Sequence, residues 1–219
     1  MIFAAMSERI FITGIGTGVG KTITSAVITE SLAADYWKPV QTGLMEGTDT
    51  DTVRSLLSNP VSVCHPEAWC LQAPASPHLA ARLENTTIDV TKIGELANQY
   101  QPAGRPLVIE GAGGLMVPVN ESVFTLDLIL ALKASVVIVA QNYLGSINHA
   151  LLTARMLHHT GVPVIGWVFS GAEHSNEADI VRWSGYPQIG RIPLAEHVDK
   201  AFVQQQAQLL TSSLHTLMA

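Results

Sequence analysis

Basic residues are scarce in this chain: 12 Lys and Arg stand against 18 Asp and Glu, a net charge of −6 over 219 residues. Nucleic-acid partners need clustered Lys and Arg to neutralise phosphates, so the composition argues against that class, and the few lysines present become informative. Cysteine is scarcer still. Cys64 and Cys70 bracket Cys-His-Pro-Glu-Ala-Trp-Cys, which is no standard zinc or redox spacing; they read as ordinary packing thiols in a reducing cytoplasm. The apolar opening Met1-Ile-Phe-Ala-Ala-Met6 has no basic flank and stops at Ser7-Glu8-Arg9. It therefore reads as neither a signal peptide nor a membrane span, and residues 1–6 are expected to be a flexible extension. Repeats, low-complexity segments and internal domain boundaries are also missing, which leaves residues 1–219 as one domain. With 47% apolar and 14% charged residues, the chain has material for one good-sized core.

What is present is concentrated near the start. Arg9-Ile-Phe-Ile-Thr-Gly-Ile-Gly-Thr-Gly-Val-Gly-Lys-Thr22 reads as a short buried strand, a glycine loop and the opening of a helix. Gly14, Gly16, Gly18 and Gly20 let backbone N–H groups turn inward where a Cβ would block the approach, and the helix start adds its positive end. This is the pattern of a phosphate-binding loop: Lys21 would reach the β- and γ-phosphates, and the Thr22 hydroxyl would take a place on Mg²⁺. The strict spacing fails by one residue, since Ile15 stands where the first glycine belongs and five residues separate Gly14 from Gly20.

Beyond the loop, the apolar spacing predicts a helix from Thr22 to Ala34 and a short strand Tyr36-Trp-Lys-Pro-Val40. Lys38 inside that apolar run must either snorkel to solvent or meet an anion. Asp49 and Asp51 precede Val53, Leu56 and Leu57, so either aspartate could cap a helix. The proline-rich stretch 61–85 is irregular until Ser76-Pro-His-Leu-Ala-Ala-Arg82, which has the form of a helix start, and Thr91 to Tyr100 is amphipathic. Pro106-Leu-Val-Ile-Glu-Gly-Ala-Gly-Gly114 reads as a strand followed by a glycine loop, with Glu110 projecting from the strand end as the second nucleotide motif requires. Strands at 135–140, 163–169 and 188–193 alternate with helices at 146–159, at 177–183 and from about residue 198. That alternation predicts an α/β, doubly wound, mostly parallel sheet with helices on both faces. The loop, Lys38, Thr42, Glu110, Asn142 to Asn148 and Ser170 all follow strands, so they should converge on one sheet edge.

These pieces, taken in order, resemble the dethiobiotin synthetase family. The matching segments are Gly-x-x-Thr-x-Val-Gly-Lys-Thr at 14–22, Lys-Pro-Val-x-Thr-Gly at 38–43, Thr-Asp at 48–49 and Ser-Pro-His at 76–78. Glu-Gly-Ala-Gly-Gly at 110–114, Leu-Gly-x-Ile-Asn-His at 144–149 and Gly-Trp-Val at 166–168 follow. The resemblance implies an ATP-dependent cyclo-ligase of biotin synthesis, cytoplasmic and homodimeric, acting on 7,8-diaminononanoate and CO₂ with Mg²⁺ as cofactor. An amine takes up CO₂ as a carbamate, the carbamate attacks the γ-phosphate of ATP, and the second amine closes a ureido ring with loss of phosphate. By the same resemblance Lys21, Lys38 and Thr17 are catalytic, and Thr22, Asp49 and Glu110 hold Mg²⁺. Gly14, Gly16, Gly18, Val19, Gly20, Gly113, Ser170 and Pro193 line the nucleotide, while Thr42, Gly145 and Asn148 meet the substrate, the last two across the dimer. No general base is evident.

The chain departs from the family pattern in places. Gly16 and Gly18 replace an Asp and a larger residue, which frees the loop backbone. Ser170-Gly171 stands where the family often has Asn-Asp to read adenine, so base selectivity is expected to weaken. The short segment after Lys38 leaves Asp51 as a rival to Asp49, with Asp49 favoured by its Thr-Asp match. The alternative class is a switch ATPase of the partitioning or septum-positioning type; those usually carry a second lysine where this chain has Ile15.

Overall fold

The computed structural model describes residues 8–171 and 176–219, so the expectation for residues 1–6 lies outside it. Four runs that are apolar at nearly every position form the middle of a seven-stranded sheet. They are β1 (Arg9–Gly14), β6 (Leu107–Gly114), β7 (Ser135–Gln141) and β8 (Val164–Ser170). Strands β2 (Asp35–Trp37) and β4 (Cys64–His65) extend one side and β9 (Gln188–Ile192) the other, in the order β4-β2-β6-β1-β7-β8-β9. Every pairing is parallel. A parallel sheet buries both faces, which is why its strands lack polar alternation.

Successive side chains point to opposite faces and meet two separate helix layers. Ile10, Ile12, Val137 and Val139 pack under α1 (Lys21–Leu32), α2 (Asp49–Leu56) and α8 (Lys200–Met218). Phe11, Val136 and Ile138 pack under α3 (Pro77–Leu83), α4 (Val90–Tyr100), α5 (Thr125–Leu132), α6 (Ser146–Thr160) and α7 (Glu177–Ser184). Each large side chain so enclosed contributes roughly 1.5–3 kcal/mol.

The structure redraws five local expectations. The run 36–40 is two strands, because Pro39 has no N–H to continue a ladder. After it, β3 (Val40–Thr42) leaves the main sheet and pairs in parallel with β5 (Trp69–Leu71), a strand inside the stretch expected to be irregular. The turn is held by the Pro39 carbonyl, which accepts from the Ala68 and Trp69 N–H groups at 2.9 and 3.1 Å. Residues 111–114 continue as strand, with Gly114 level with Gly14 of β1. Helix α2 is capped by Thr48, whose hydroxyl accepts from the Asp51 N–H at 3.0 Å, and not by an aspartate. Both cysteines are free thiols; Cys64 is half-buried, but Cys70 is exposed and is no packing thiol. No helix among the described residues is long and apolar enough to cross a membrane.

Candidate nucleotide and metal site

The segment between β1 and α1 wraps a turn that only glycine tolerates at its ends. A Cβ on Gly14 would lie 2.7 Å from Val19 Cγ2 and 2.8 Å from the Gly16 carbonyl. Gly20, the residue ahead of α1, has φ +93°, a left-handed value that strains any L side chain. Its cap position carries no side-chain hydrogen bond, so the first N–H groups of α1 stay available to an anion. Lys21 Nζ lies folded back on the Gly16 carbonyl at 2.9 Å.

Beside this loop, three segments bring their polar groups together. Thr22 Oγ1 lies 2.9 Å from Asp49 Oδ1 and 3.1 Å from Glu110 Oε1. Lys38 bridges the same two acids, donating to Asp49 Oδ2 and, at 3.3 Å, to Glu110 Oε1. Lys38 therefore does not snorkel; it is only 6% exposed. Glu110, at 1% exposure, is completed by the Tyr36 hydroxyl, which donates to its Oε2 at 2.9 Å. Gln41 steadies the other acid by accepting from the Asp49 N–H at 3.2 Å. Asp51, two residues along the same helix, is exposed and paired with Arg54 at 2.6 Å, away from this cluster.

The electrostatics follow from burial among charges. Burial pulls Lys38 down, but Glu110 and then Asp49 outweigh it, so its ammonium is held above the ordinary lysine value. Lys21 moves the other way: burial dominates, Glu110 opposes it, Lys38 adds to it, and the net shift is downward. Burial and the Glu110 charge raise the Tyr36 phenol well above its usual value, so it remains a donor.

Both lysines open on one cleft of about 820 Å³. Its lining includes Thr17, Gly18, Gly20, Lys21, Thr22, Lys38, Thr42, Asp49, Glu110 and Gly113. Gly14, Gly16 and Val19 shape the loop behind it. Ser170 sits under the loop: it is 8% exposed and donates to the Val19 carbonyl at 2.9 Å. Pro193, Gly145 and Asn148 are exposed and do not line the cleft. Gly145 is the cap of α6, with φ +101°. Sequence reading passed over Tyr36 and Gln41. The available signal for Tyr36 was its place two residues before Lys38 on an extended segment, which puts both on one face.

Among the described residues no three His, Cys, Asp or Glu side chains converge as a metal cluster. Two carboxylates and a hydroxyl are nevertheless the donor set that suits Mg²⁺, a hard ion that keeps waters and takes substrate phosphate oxygens for the rest of its shell. The parallel sheet, the glycine loop running into α1 and the paired lysine and carboxylates mark a P-loop NTPase-like α/β protein. Solved structures agree on that fold. MinD from Aquifex aeolicus superposes with a TM-score of 0.58 at 14% identity, covering 97% of each chain. A ParA family ATPase from Chlorobium tepidum TLS gives 0.54 at 14% identity, covering 97% of this chain and 93% of its own. A family profile described as an AAA domain matches residues 8–201. The ATP-dependent dethiobiotin synthetase BioD of Christiangramia forsetii is 42% identical over 204 residues, 93% of this chain and 96% of its own. That of Agrobacterium fabrum is 43% identical over 205 residues, 93% and 94%. The chain belongs to the dethiobiotin synthetase family.

Proposed function

We propose that this protein forms the ureido ring of dethiobiotin from 7,8-diaminononanoate, CO₂ and ATP in the cytoplasm. The observation that carries the reading is the pair of buried ammonium groups, Lys21 and Lys38, lining one cleft next to Thr22, Asp49 and Glu110. An anionic carbamate has to approach an anionic triphosphate, and fixed positive charge on both sides lowers that repulsion most where the developing charge appears. The loop N–H groups and Lys21 hold the triphosphate, with Thr17 at the cleft wall. Lys38 and Thr42 meet the carbamate end. The carbamate oxygen attacks the γ-phosphorus and ADP leaves; the second amine then attacks the carbamate carbon, closing the ring as phosphate departs. Thr22, Asp49 and Glu110 would hold Mg²⁺, which when bound supplies charge neutralisation at the phosphate oxygens.

Gly145 and Asn148 lie at the start of α6, outside the cleft lining of their own chain, a position suited to binding a substrate carboxylate on a second copy through helix N–H groups. The active species is then a homodimer. The switch-ATPase reading has the shared fold in its favour but no second lysine early in the loop, where Ile15 stands. Phosphate release measured with ATP alone, with diamine alone added and with diamine plus bicarbonate decides between them. Hydrolysis requiring both additions, with dethiobiotin formed, is expected; partner-stimulated basal hydrolysis without product overturns the reading. Full activity at dilutions where only monomer remains would overturn the shared site.

A further inference from the structure

Glu110 is the buried end of the metal-binding set, yet nothing in its own backbone decides which way its carboxylate faces. The last torsion of a glutamate is broad and roughly two-fold, so the head group needs an external lock. The sheet supplies one. In the β2–β6 pairing Tyr36 is level with Val108, and Glu110 lies two residues further along β6, so its side chain leaves the same face of the sheet. The phenol reaches over that diagonal, and its hydroxyl meets Glu110 Oε2 at 2.9 Å while Oε1 faces Thr22 and Lys38. The ring cannot wander: Tyr36 is fully buried, and both it and Val108 belong to the apolar layer beneath α1.

We infer that Tyr36 is a positioning residue for the metal site, acting through Glu110: its hydroxyl occupies Oε2 and so presents Oε1 to the cation. This rests on the proposed Mg²⁺-dependent reaction for its purpose but not for its geometry. A carboxylate that ligates a metal is commonly oriented by such an outer partner, and losing that partner typically costs about 10–100-fold in metal affinity. Removing the hydroxyl leaves Oε2 buried with no donor from this strand and lets the carboxylate turn.

The test is Tyr36→Phe, which keeps the ring and deletes one oxygen. ADP binding is measured by titration calorimetry in EDTA and over a series of Mg²⁺ concentrations, so no turnover is needed and failure of the reaction assignment would leave the result readable. The expected outcome is a Mg²⁺ half-saturation raised about 10–100-fold, with metal-free ADP affinity unchanged. Tyr36→Met, which removes ring and hydroxyl together, should shift the Mg²⁺ dependence similarly if the hydroxyl is the cause. In a Glu110→Gln background the Phe substitution should add almost nothing, because the group it positions is no longer a carboxylate. An unchanged Mg²⁺ half-saturation overturns the inference, as does equal weakening of metal-free and metal-bound ADP, which would mark a purely structural tyrosine. A full additional shift in the Glu110→Gln background overturns the route through Glu110.

Discussion

Replacing Lys38 with methionine keeps an unbranched stem of similar reach and removes only the charge. In the protein that charge lies between Asp49 and Glu110, and its side chain is 8% exposed against 28% and 1% for the two acids. Breaking a buried pair by deleting one partner leaves an uncompensated charge and costs about 3–5 kcal/mol. Asp49 retains some solvent, so the lower end applies: about 3 kcal/mol. For a chain of this size each kcal/mol moves Tm by about 2–4 °C, so metal-free Lys38→Met should melt roughly 6–12 °C below the parent. Mg²⁺ should recover part of the loss, because a ligand bound only by the folded state adds about 2.7 kcal/mol at a hundredfold excess over Kd. The parent should gain less from the ion, since Lys38 already offsets one of the two negative charges there. Activity should not be recovered by the ion, since the proposed reaction uses the same ammonium at the carbamate; losing one fixed donor to developing charge costs about 10²–10³ in kcat. Thermal melts in EDTA and in excess Mg²⁺, with steady-state kinetics on the folded variant, check both parts. A Lys38→Met protein that turns over at near-parent rate, or melts with the parent in EDTA, refutes the reasoning.

Two further predictions follow from burial. Ser170 spends its hydroxyl proton on the Val19 carbonyl and is followed by a glycine, so no planar amide at this position reads adenine. GTP or CTP should support the reaction within about tenfold of ATP in kcat/KM, a gap of about 1.4 kcal/mol; an ATP preference above about a hundredfold would contradict this. The Cys64 thiol is pushed up to about 11, chiefly by burial, with Arg54 opposing and Asp35 adding. Unfolded cysteine loses its proton near pH 8.5 while the folded thiol keeps it, so stability falls with rising pH between about 8.5 and 11. Urea unfolding should therefore show the parent losing more stability than Cys64→Ala from pH 8 to pH 10.5, and parallel losses would sink the assignment.

Much of this protein is written in short, local patterns. Short, β-branched apolar runs that alternate with helices read as buried parallel strands, which is why β1, β6, β7 and β8 were legible before any pairing was known. Four glycines ahead of Lys21-Thr22 are equally local, because the conformation they permit depends on their own backbone. What depended on distant segments was not legible. The expected strand 36–40 ran straight through Pro39, and only the position of β5 decided that β3 would leave the main sheet to pair with it. Asp49 and Asp51 are chemically identical and two residues apart; a helix turns about 100° per residue, so they face nearly opposite ways, and packing of α2 against α1 chose which one meets Thr22. Lys38 could snorkel or pair until Glu110, 72 residues away, was brought within 3.3 Å. Ser170 followed a strand like the other candidate site residues, yet the loop it meets lies 151 residues earlier, and only the fold gave its hydroxyl the Val19 carbonyl as a partner. Hydrogen-bond partners are set by which segments the sheet order places side by side, and that order is a property of the whole core rather than of any stretch within it.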